Sequence, residues 1–345
     1  MALIDEIREQ PAVAQRLLAS PPPALGRLAA AVGRRRPSTV VLAARGTSDN
    51  AALYAQYLFA VRNSMLVALA TPAALTLYGA RPRLADALVI GISQSGRSPD
   101  IVAVVEEGRR QGALTLAVTN EGASPLAAVA DEVVELGAGD EHATAATKTY
   151  TSELVAMALL SFALDAPTAE ERTALGAVPG AMATALATEA VGAELAARRA
   201  SMARCVVLGR GYEYATAREW ALKLQELAQV HALAFSAADF EHGPLALADP
   251  ELDVLAVAPS GRSLDAQVGL LQRLHGELGA RLLVLSASAE ARHIDAGIAL
   301  PGGLPEWIAP TVSILPGQLF AYHLTRARGL DPDAPRTISK VTETR

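Results

Sequence analysis

Hydroxyl and amide side chains are concentrated in one short glycine-containing segment of this sequence. The segment lies between an apolar run, Leu88–Ile92, and a helical periodicity that begins at Ile101, and it reads Ser93-Gln94-Ser95-Gly96-Arg97-Ser98-Pro99-Asp100. Where a strand turns into a helix, unpaired backbone N–H groups and the helix dipole favour a bound anion, and side-chain donors strengthen the site. The sequence predicts a phosphate-binding loop, against the alternative of an ordinary turn with a serine cap. The donors assigned to phosphate are Ser93, Gln94, Ser95 and Ser98.

A second polar turn, Arg45-Gly46-Thr47-Ser48, follows the apolar run Thr39–Ala43. Open α/β sheets bind ligands at the carboxyl ends of their strands, and both polar turns come directly after predicted strands. Gly46, Thr47 and Ser48 are therefore candidate contacts for sugar hydroxyls, although the same residue types also form a plain helix cap. Neither turn matches a Walker loop or the G-x-G-x-x-G fingerprint, so we predict no nucleotide cofactor.

Apolar runs rich in Val, Ile and Leu alternate with longer amphipathic or Ala-rich stretches along the whole chain. This alternation predicts an α/β fold, with two doubly wound parallel sheets flanked by helices. The predicted strands of the first half are Thr39–Ala43, Met65–Leu69, Leu88–Ile92, Leu114–Val118 and Val133–Leu136. Those of the second half are Arg204–Leu208, Leu233–Phe235, Val254–Ala258, Arg281–Leu285 and Gly297–Leu300. The apolar stretch 154–164 is too short to cross a membrane and predicts a buried helix.

The two halves share landmarks at a constant spacing, which indicates an internal duplication. Gly211 follows Gly46 by as many positions as a second Ser-Gly-Arg-Ser segment, 260–263, follows the first at 95–98. The second copy of the loop has fewer donor side chains and places Pro259, which has no N–H, where Gln94 stands in the first. We therefore predict that only the first copy binds phosphate.

The chain is long enough for two domains that each bury a core. We predict an N-terminal helical arm at 1–30, a phosphate-binding domain at 31–165, a second domain of the same type at 166–330 and a C-terminal tail at 331–345. The Ala-rich stretch 167–199 predicts one connecting helix. The proline-rich stretch 331–335 predicts an extended tail.

Composition excludes several classes of partner. The formal net charge is -6 and no long basic run occurs, so neither nucleic acid nor an anionic membrane is an expected partner. Cys205 is the single cysteine, which excludes an intrachain disulfide and a cysteine zinc cluster and fits a reducing, cytoplasmic location. Acidic residues near the start replace the apolar stretch of a signal peptide. The histidines and acids show no metal-ligand spacing, so no metal is predicted.

Several motifs in one order resemble the isomerase half of glutamine:fructose-6-phosphate amidotransferase, a member of the sugar isomerase (SIS) superfamily. They are Arg45-Gly46-Thr47-Ser48, Ser93-Gln94-Ser95-Gly96, Ala145-Ala146-Thr147-Lys148, Ala221–Leu227, Glu241-His242-Gly243-Pro244-Leu245-Ala246 and Pro335–Lys340. The resemblance runs from about residue 30 onward. It implies two tandem SIS-type domains and a sugar phosphate substrate.

The resemblance also implies roles for individual residues. Glu226 falls at the position of the base that moves a proton between C1 and C2, and Lys223 lies one helical turn before it. Without the family match, this pair would be interpreted as a surface ion pair. His242 falls at the position of the group that assists ring opening, which in relatives acts in the neighbouring subunit, so a homodimer is implied. The remaining implied contacts to the sugar phosphate are Thr144, Ala146, Arg336, Ser339 and Lys340, the last also with a catalytic role.

The reaction expected from the resemblance is deamination with isomerisation. Residue 2 is Ala and Cys205 lies in a predicted strand, so we expect no glutaminase and no ammonia taken from glutamine. The synthase has Ser where Ala146 stands, and the loop 141–148 looks more like single-chain relatives that deaminate amino-sugar phosphates or cleave fructosamine phosphates. We expect glucosamine 6-phosphate and water to give fructose 6-phosphate and ammonia. The alternatives are a fructosamine-phosphate deglycase, a glutaminase-lacking aminotransferase/isomerase and a non-catalytic sugar-phosphate sensor.

Overall fold

The structure is a computed structural model that describes residues 2–340. These residues form two compact units. The first unit comprises residues 12–141, 148–172 and 339–340, and the second comprises 2–11, 142–147 and 173–338. Residues 341–345 of the predicted tail and residue 1 of the predicted arm lie outside the described residues.

Each unit contains one five-stranded sheet in which all neighbouring strands are parallel. The first sheet consists of β1 (Thr39–Ala43), β2 (Leu66–Leu69), β3 (Ala87–Ile92), β4 (Leu114–Thr119) and β5 (Glu132–Glu135), in the order β2-β1-β3-β4-β5. The second consists of β6 (Arg204–Gly209), β7 (His231–Ser236), β8 (Asp253–Val257), β9 (Arg281–Ser286) and β10 (Ala296–Ala299), in the order β7-β6-β8-β9-β10. The identical strand orders confirm the two doubly wound sheets predicted from the sequence.

Helices flank both sheets. In residues 2–340 they are α1 (Ala2–Ala19), α2 (Ala24–Arg35), α3 (Gly46–Arg62), α4 (Pro72–Thr76), α5 (Pro99–Arg110), α6 (Pro125–Val129), α7 (Lys148–Leu164), α8 (Ala169–Gly176), α9 (Val178–Leu186), α10 (Glu189–Arg198), α11 (Glu213–Glu226), α12 (Ala237–Glu241), α13 (Leu264–Gly276), α14 (Ala289–Arg292) and α15 (Pro310–Ala327). A 3₁₀ turn spans Pro244–Leu247.

The prediction of one connecting helix over 167–199 was wrong, because the structure has three helices there, α8 to α10. Pro179 lies in the first turn of α9, where its missing N–H is tolerated. The same residue could not donate to a carbonyl of a preceding turn, so a continuous helix would break at this point. α8 accordingly ends at Gly176, just before this proline.

Helices on both faces make the central strands fully buried, as parallel sheets require. β3 and β4 are buried at every position, and Val89 and Ala117 pack with Val105 of α5 in the core of the first unit. Gly91 allows α5 to approach closely, because a Cβ at this position would lie 2.7 Å from Cγ2 of Val105. The carboxyl end of β3, which precedes the loop 93–98, is therefore packed closely against α5.

The duplication extends to matching local hydrogen bonds. After β4, the Ser124 hydroxyl caps α6 by accepting the Ala127 N–H. After β9, the Ser288 hydroxyl caps α14 by accepting the Ala291 N–H. Equivalent turns in the two units thus use the same capping chemistry.

The apolar stretch 154–164 lies in α7, whose residues are mostly buried, as predicted. Among the described residues, no single helix has both the length and the apolar character needed to span a membrane. Only the pair Ala169–Leu186 and Glu189–Arg198, bent by 47°, meets the length and composition criteria together.

Candidate active site

The predicted phosphate loop lies between β3 and α5, in the position that the sequence pattern indicated. Ser98 is the N-cap residue of α5, with φ -66° and ψ 111°, and Pro99 opens the helix. The Ser98 hydroxyl makes no capping hydrogen bond. Its oxygen therefore accepts no N–H from the first turn of the helix, and the N-terminus of α5 is oriented as an anion site requires.

Hydrogen bonds within the loop use its serine oxygens as acceptors. The Gly96 N–H donates to Ser93 Oγ at 3.2 Å, and the Arg97 N–H donates to Ser95 Oγ at 3.3 Å. A hydroxyl that accepts in this way can still donate its own hydrogen. Gly96 has φ +60°, and a Cβ there would lie 2.1 Å from Ser124 Oγ, so this turn requires glycine.

An ion pair that the sequence analysis missed joins the two polar loops of the first unit. Arg45 follows β1, and its Nε donates to Asp100 Oδ2 at 2.7 Å. Asp100 lies in the first turn of α5 and is 1% exposed. The pair bridges the loops after β1 and β3, between which the strand order of the sheet reverses. The sequence features that could have suggested this ion pair are Arg45, just after the first strand, and Asp100, just after Pro99.

The residues predicted to contact sugar hydroxyls begin helix α3. Gly46 has φ +54°, a conformation that favours glycine, and Thr47 is half-buried. Ser48 is buried, and its hydroxyl donates to Glu153 Oε1 in α7 at 2.7 Å. The hydroxyl hydrogen of Ser48 is therefore used within the first unit. Toward a ligand, the Ser48 oxygen can only accept a hydrogen bond.

The end of the tail is held in the first unit by a buried acid. Lys340 Nζ donates to Glu141 Oε2 at 2.7 Å, and the Glu141 side chain has no exposed area. Glu141 also accepts the Thr149 N–H and hydroxyl, at 3.1 and 2.8 Å. Ser339, beside Lys340, is exposed, as is Arg336 in the second unit. No sequence pattern links residue 141 with residue 340.

The second unit contains a lysine between two carboxylates on one helix. Lys223 Nζ lies 2.5 Å from Glu226 Oε2 and 3.5 Å from Glu219 Oε1. Lys223 and Glu219 are fully buried, whereas the Glu226 side chain is 23% exposed. The interpretation of Lys223 and Glu226 as a surface ion pair is therefore wrong. A buried ammonium needs such partners because its dehydration is otherwise very unfavourable.

His242 and the loop 142–147 occupy other parts of the second unit. His242 is exposed and follows α12, next to Gly243 with φ +124°. Thr144 and Ala146 are half-buried in the loop 142–147. The Glu6 carboxylate fixes this loop by accepting the N–H groups of residues 142 and 143 at 2.5 and 3.2 Å. Glu6 was not predicted, because its partners are distant in sequence.

A second buried acid begins the helix that carries Lys223 and Glu226. Glu213 is 3% exposed, and its Oε1 accepts the Ser313 hydroxyl of α15 at 2.9 Å. Burial raises the pKa of Glu213 to about 7, and the negative charge of Glu306 adds to the rise. Hydrogen bonds from Ser313 oppose the rise only in part.

Other features of the structure lie away from these groups. A cavity of about 560 Å³ in the first unit includes no residue of the loops 45–48 and 93–98 in its lining. Cys205 is buried, and burial raises the pKa of its thiol. Within residues 2–340, no group of three or more His, Cys, Asp or Glu side chains is arranged to hold a metal ion.

Comparison with known families agrees with this architecture. A family model described as the SIS domain matches the chain twice, at residues 35–163 and 200–327. Each match spans one of the two five-stranded sheets. The chain therefore belongs to the SIS domain family and carries two copies of the domain.

Curated relatives indicate which kind of SIS protein this chain is similar to. Glutamine–fructose-6-phosphate aminotransferase (isomerizing) from Thermococcus kodakarensis is 34% identical over 310 residues, which cover 87% of this chain and 51% of that protein. The chain thus spans about half the length of the curated relatives that it matches.

Two solved structures are similar over nearly the whole chain. A candidate phosphosugar isomerase from Silicibacter pomeroyi DSS-3 has a TM-score of 0.84 and 32% identity, over 96% of this chain and 99% of that one. The C-terminal domain of glucosamine-fructose-6-phosphate aminotransferase from Francisella tularensis has a TM-score of 0.87 and 25% identity, over 97% and 98%. These relatives confirm the predicted superfamily and place the chain in its phosphosugar isomerase branch.

Replacement of a loop serine in each unit tests whether only the first loop binds phosphate. Ser95→Ala should weaken binding of fructose 6-phosphate roughly tenfold, because a hydrogen bond to a charged group contributes about 1.5–3 kcal/mol. Ser260→Ala, the matched change in the second unit, should leave the affinity unchanged. Isothermal titration of each variant with fructose 6-phosphate measures both, and equal losses would contradict a single phosphate loop.

The raised pKa of Glu213 predicts a pH-dependent stability. Between about pH 4.5, the ordinary value, and about pH 7, the folded state holds a proton that the unfolded state has lost, so stability falls as pH rises through this window. Glu213→Gln keeps an acceptor for Ser313 and removes the titration. The variant should gain melting temperature over the native chain more at pH 8.5 than at pH 5.5. Glu277→Gln, an exposed control, should show the same difference at both pH values.

Proposed function

We propose that this chain is an amino-hexose 6-phosphate deaminase that converts glucosamine 6-phosphate and water into fructose 6-phosphate and ammonia. The observation that carries the proposal is the buried Lys223 with a carboxylate on either side. Glu219 is buried, whereas the second carboxylate, Glu226, is partly exposed, so that a bound sugar can reach it as a general base requires.

The proposed reaction uses these groups in sequence. His242 assists ring opening, which gives the C1 aldehyde with an amine at C2. Glu226 then takes the C2 proton while Lys223 donates a hydrogen bond to the carbonyl oxygen, which takes up a proton from solvent and becomes the hydroxyl of an enaminol. Return of the proton from Glu226 to C1 gives the C2 iminium. Water adds at C2, ammonia leaves and one proton returns to solvent, so that water supplies the ketose oxygen.

The loop 93–98 suits the phosphate of this substrate. Its serine hydroxyls keep their hydrogens for donation, and α5 directs its N-terminus at the loop. The pair of Arg45 and Asp100 holds the two loops at the reversal of strand order, the usual ligand position of such sheets. In this proposal Lys340, which lies in the same unit, contributes positive charge toward the phosphate.

The names of the relatives agree with this substrate class. The Thermococcus protein is named as an isomerizing glutamine–fructose-6-phosphate aminotransferase, and fructose 6-phosphate is the sugar product of the reaction proposed here. Ala146, where the resembling synthase has Ser, favours the deaminating relatives. The same loop also supports a second candidate, a deglycase that cleaves fructosamine phosphates.

We further propose a homodimer in which His242 acts in the partner's active site. His242 is exposed, and its ring makes no hydrogen bond within residues 2–340. An imidazole in this position is free to serve a neighbouring molecule. Its loop, bounded by Gly243 and Pro244, is at the surface of the second unit.

Removal of the proposed base tests the reaction. Glu226→Gln keeps a hydrogen bond to Lys223 but cannot take a proton, so turnover should fall roughly 10²–10⁴-fold. Binding of inorganic phosphate should not change. Release of ammonia and fructose 6-phosphate from glucosamine 6-phosphate measures the activity, and Glu194→Gln, an exposed change on α10, is the control. Ammonia release that survives in Glu226→Gln, or is absent from the native chain with every amino-hexose 6-phosphate, would contradict the proposal.

Mixing two inactive variants tests the shared site. A Glu226→Gln chain and a His242→Asn chain should regain activity when their subunits exchange, because one site of each mixed dimer then has both groups. Subunit exchange is verified by native mass spectrometry. Verified exchange without any recovery would show that each site is formed by a single chain.

A further inference from the structure

The loop after β8 in the second unit is built like the phosphate loop of the first. It lies between β8 and α13, as the loop 93–98 lies between β3 and α5. The first residue of each loop makes the same bond to the neighbouring strand: Ser93 N–H donates to Val118 O at 3.0 Å, and Ala258 N–H donates to Leu285 O at 2.9 Å. The second loop therefore leaves its strand as the first one does, although its glycine differs in conformation, with φ +150° at Gly261 and +60° at Gly96.

One equivalent amide has different partners in the two loops. In the first unit, the Arg97 N–H bonds locally to Ser95 Oγ at 3.3 Å. In the second, the Arg262 N–H donates to Oε1 of Glu306 at 2.9 Å. Glu306 is remote in sequence and lies between β10 and α15. A carboxylate of the chain itself therefore binds a backbone N–H of the second loop.

The carboxylate lies directly against the loop backbone. A Cβ at Gly261 would be 2.3 Å from Cδ and 2.4 Å from Oε1 of Glu306, so only glycine permits this approach. Gly261 has φ +150°, which also favours glycine. The cavity that remains beside the loop, lined by Ser260 and Ser313 among others, is only about 10 Å³, too small for a sugar phosphate.

The charge of Glu306 also reaches the loop after β6, on the other side of the strand-order reversal. Burial raises the pKa of Tyr212 to about 12, and Glu306 adds to that rise, as it does for Glu213. Glu306 therefore places a negative charge at the second unit's equivalent of the ligand crevice, where the positive charge of Arg262 opposes it in part. A phosphate dianion would meet repulsion there as well as a filled loop.

We propose that the Glu306 carboxylate is an internal anion that occupies the phosphate-type loop of the second unit and closes it to phosphomonoesters. Its removal exposes a latent phosphate site formed by residues 260–263. The inference rests on the proposed role of the loop 93–98, from which the equivalence is drawn. Because Glu306 is part of the chain, its carboxylate is present beside the loop at a high effective concentration and competes with free phosphate for the loop.

The test counts phosphate sites in a background in which the first one is weakened. Ser95→Ala supplies that background, and Glu306→Ala is added to it. Isothermal titration with inorganic phosphate should show a new saturable site in the double variant, at least tenfold tighter than any binding in the background. Ser95→Ala with Glu277→Ala is the matched control, because it removes an equal charge from an exposed position of the second unit.

Circular dichroism establishes that each variant is folded, and Glu306→Gln serves as a second probe. Its neutral amide can still accept the Arg262 N–H, so its gain in phosphate affinity should be smaller than that of Glu306→Ala. An equal gain in the Glu277→Ala control, or no gain in either folded Glu306 variant, would overturn the proposal. Failure of the proposed role of the loop 93–98 would give a different result. In that case the native chain and Ser95→Ala would bind phosphate with the same affinity.

Discussion

The dehydration of one ammonium group constrains the centre of the second unit. Lys223 has no exposed area, so its charge must be balanced by groups within the protein. Helix α11 provides them at i-4 and i+3, as Glu219 and Glu226. The helix must then be held in place, and Trp220 packs edge to face on Phe320 of α15, with ring centroids 5.8 Å apart. Gly317 permits this contact, because a Cβ there would approach the Trp220 ring to 3.0 Å.

A duplicated fold offers two equivalent loops, and the groups around them differ. The first loop has serine hydroxyls, and the Arg45 guanidinium beside it is paired with Asp100. The second loop has Pro259, which lacks an N–H, and the carboxylate of Glu306 bound to its Arg262 N–H. The turns also differ in conformation, because Gly96 has φ +60° and Gly261 has φ +150°. These differences support the proposal that only the first copy binds phosphate.

Buried carboxylates recur as anchors of the loops in both units. Glu6 accepts two backbone N–H groups of the loop 142–147, Glu141 binds Lys340, and Glu153 accepts the Ser48 hydroxyl. A carboxylate has four acceptor positions and can fix several donors at once. Loops of this fold carry the candidate chemistry, so such anchors set the positions of groups that the strands alone do not fix.

The sequence by itself determined the ten strands, the duplication and the location of the serine-rich loop between β3 and α5. These features depend on local periodicity and on residues that adjoin in the chain, such as the turn from Ser93 to Ser98. Only the tertiary structure decided that Lys223 is buried and not a surface residue, and that Arg45 meets Asp100 or Glu306 meets Arg262. Each of these contacts depends on how distant segments pack. The dehydration and charge that give such groups their properties exist only after folding.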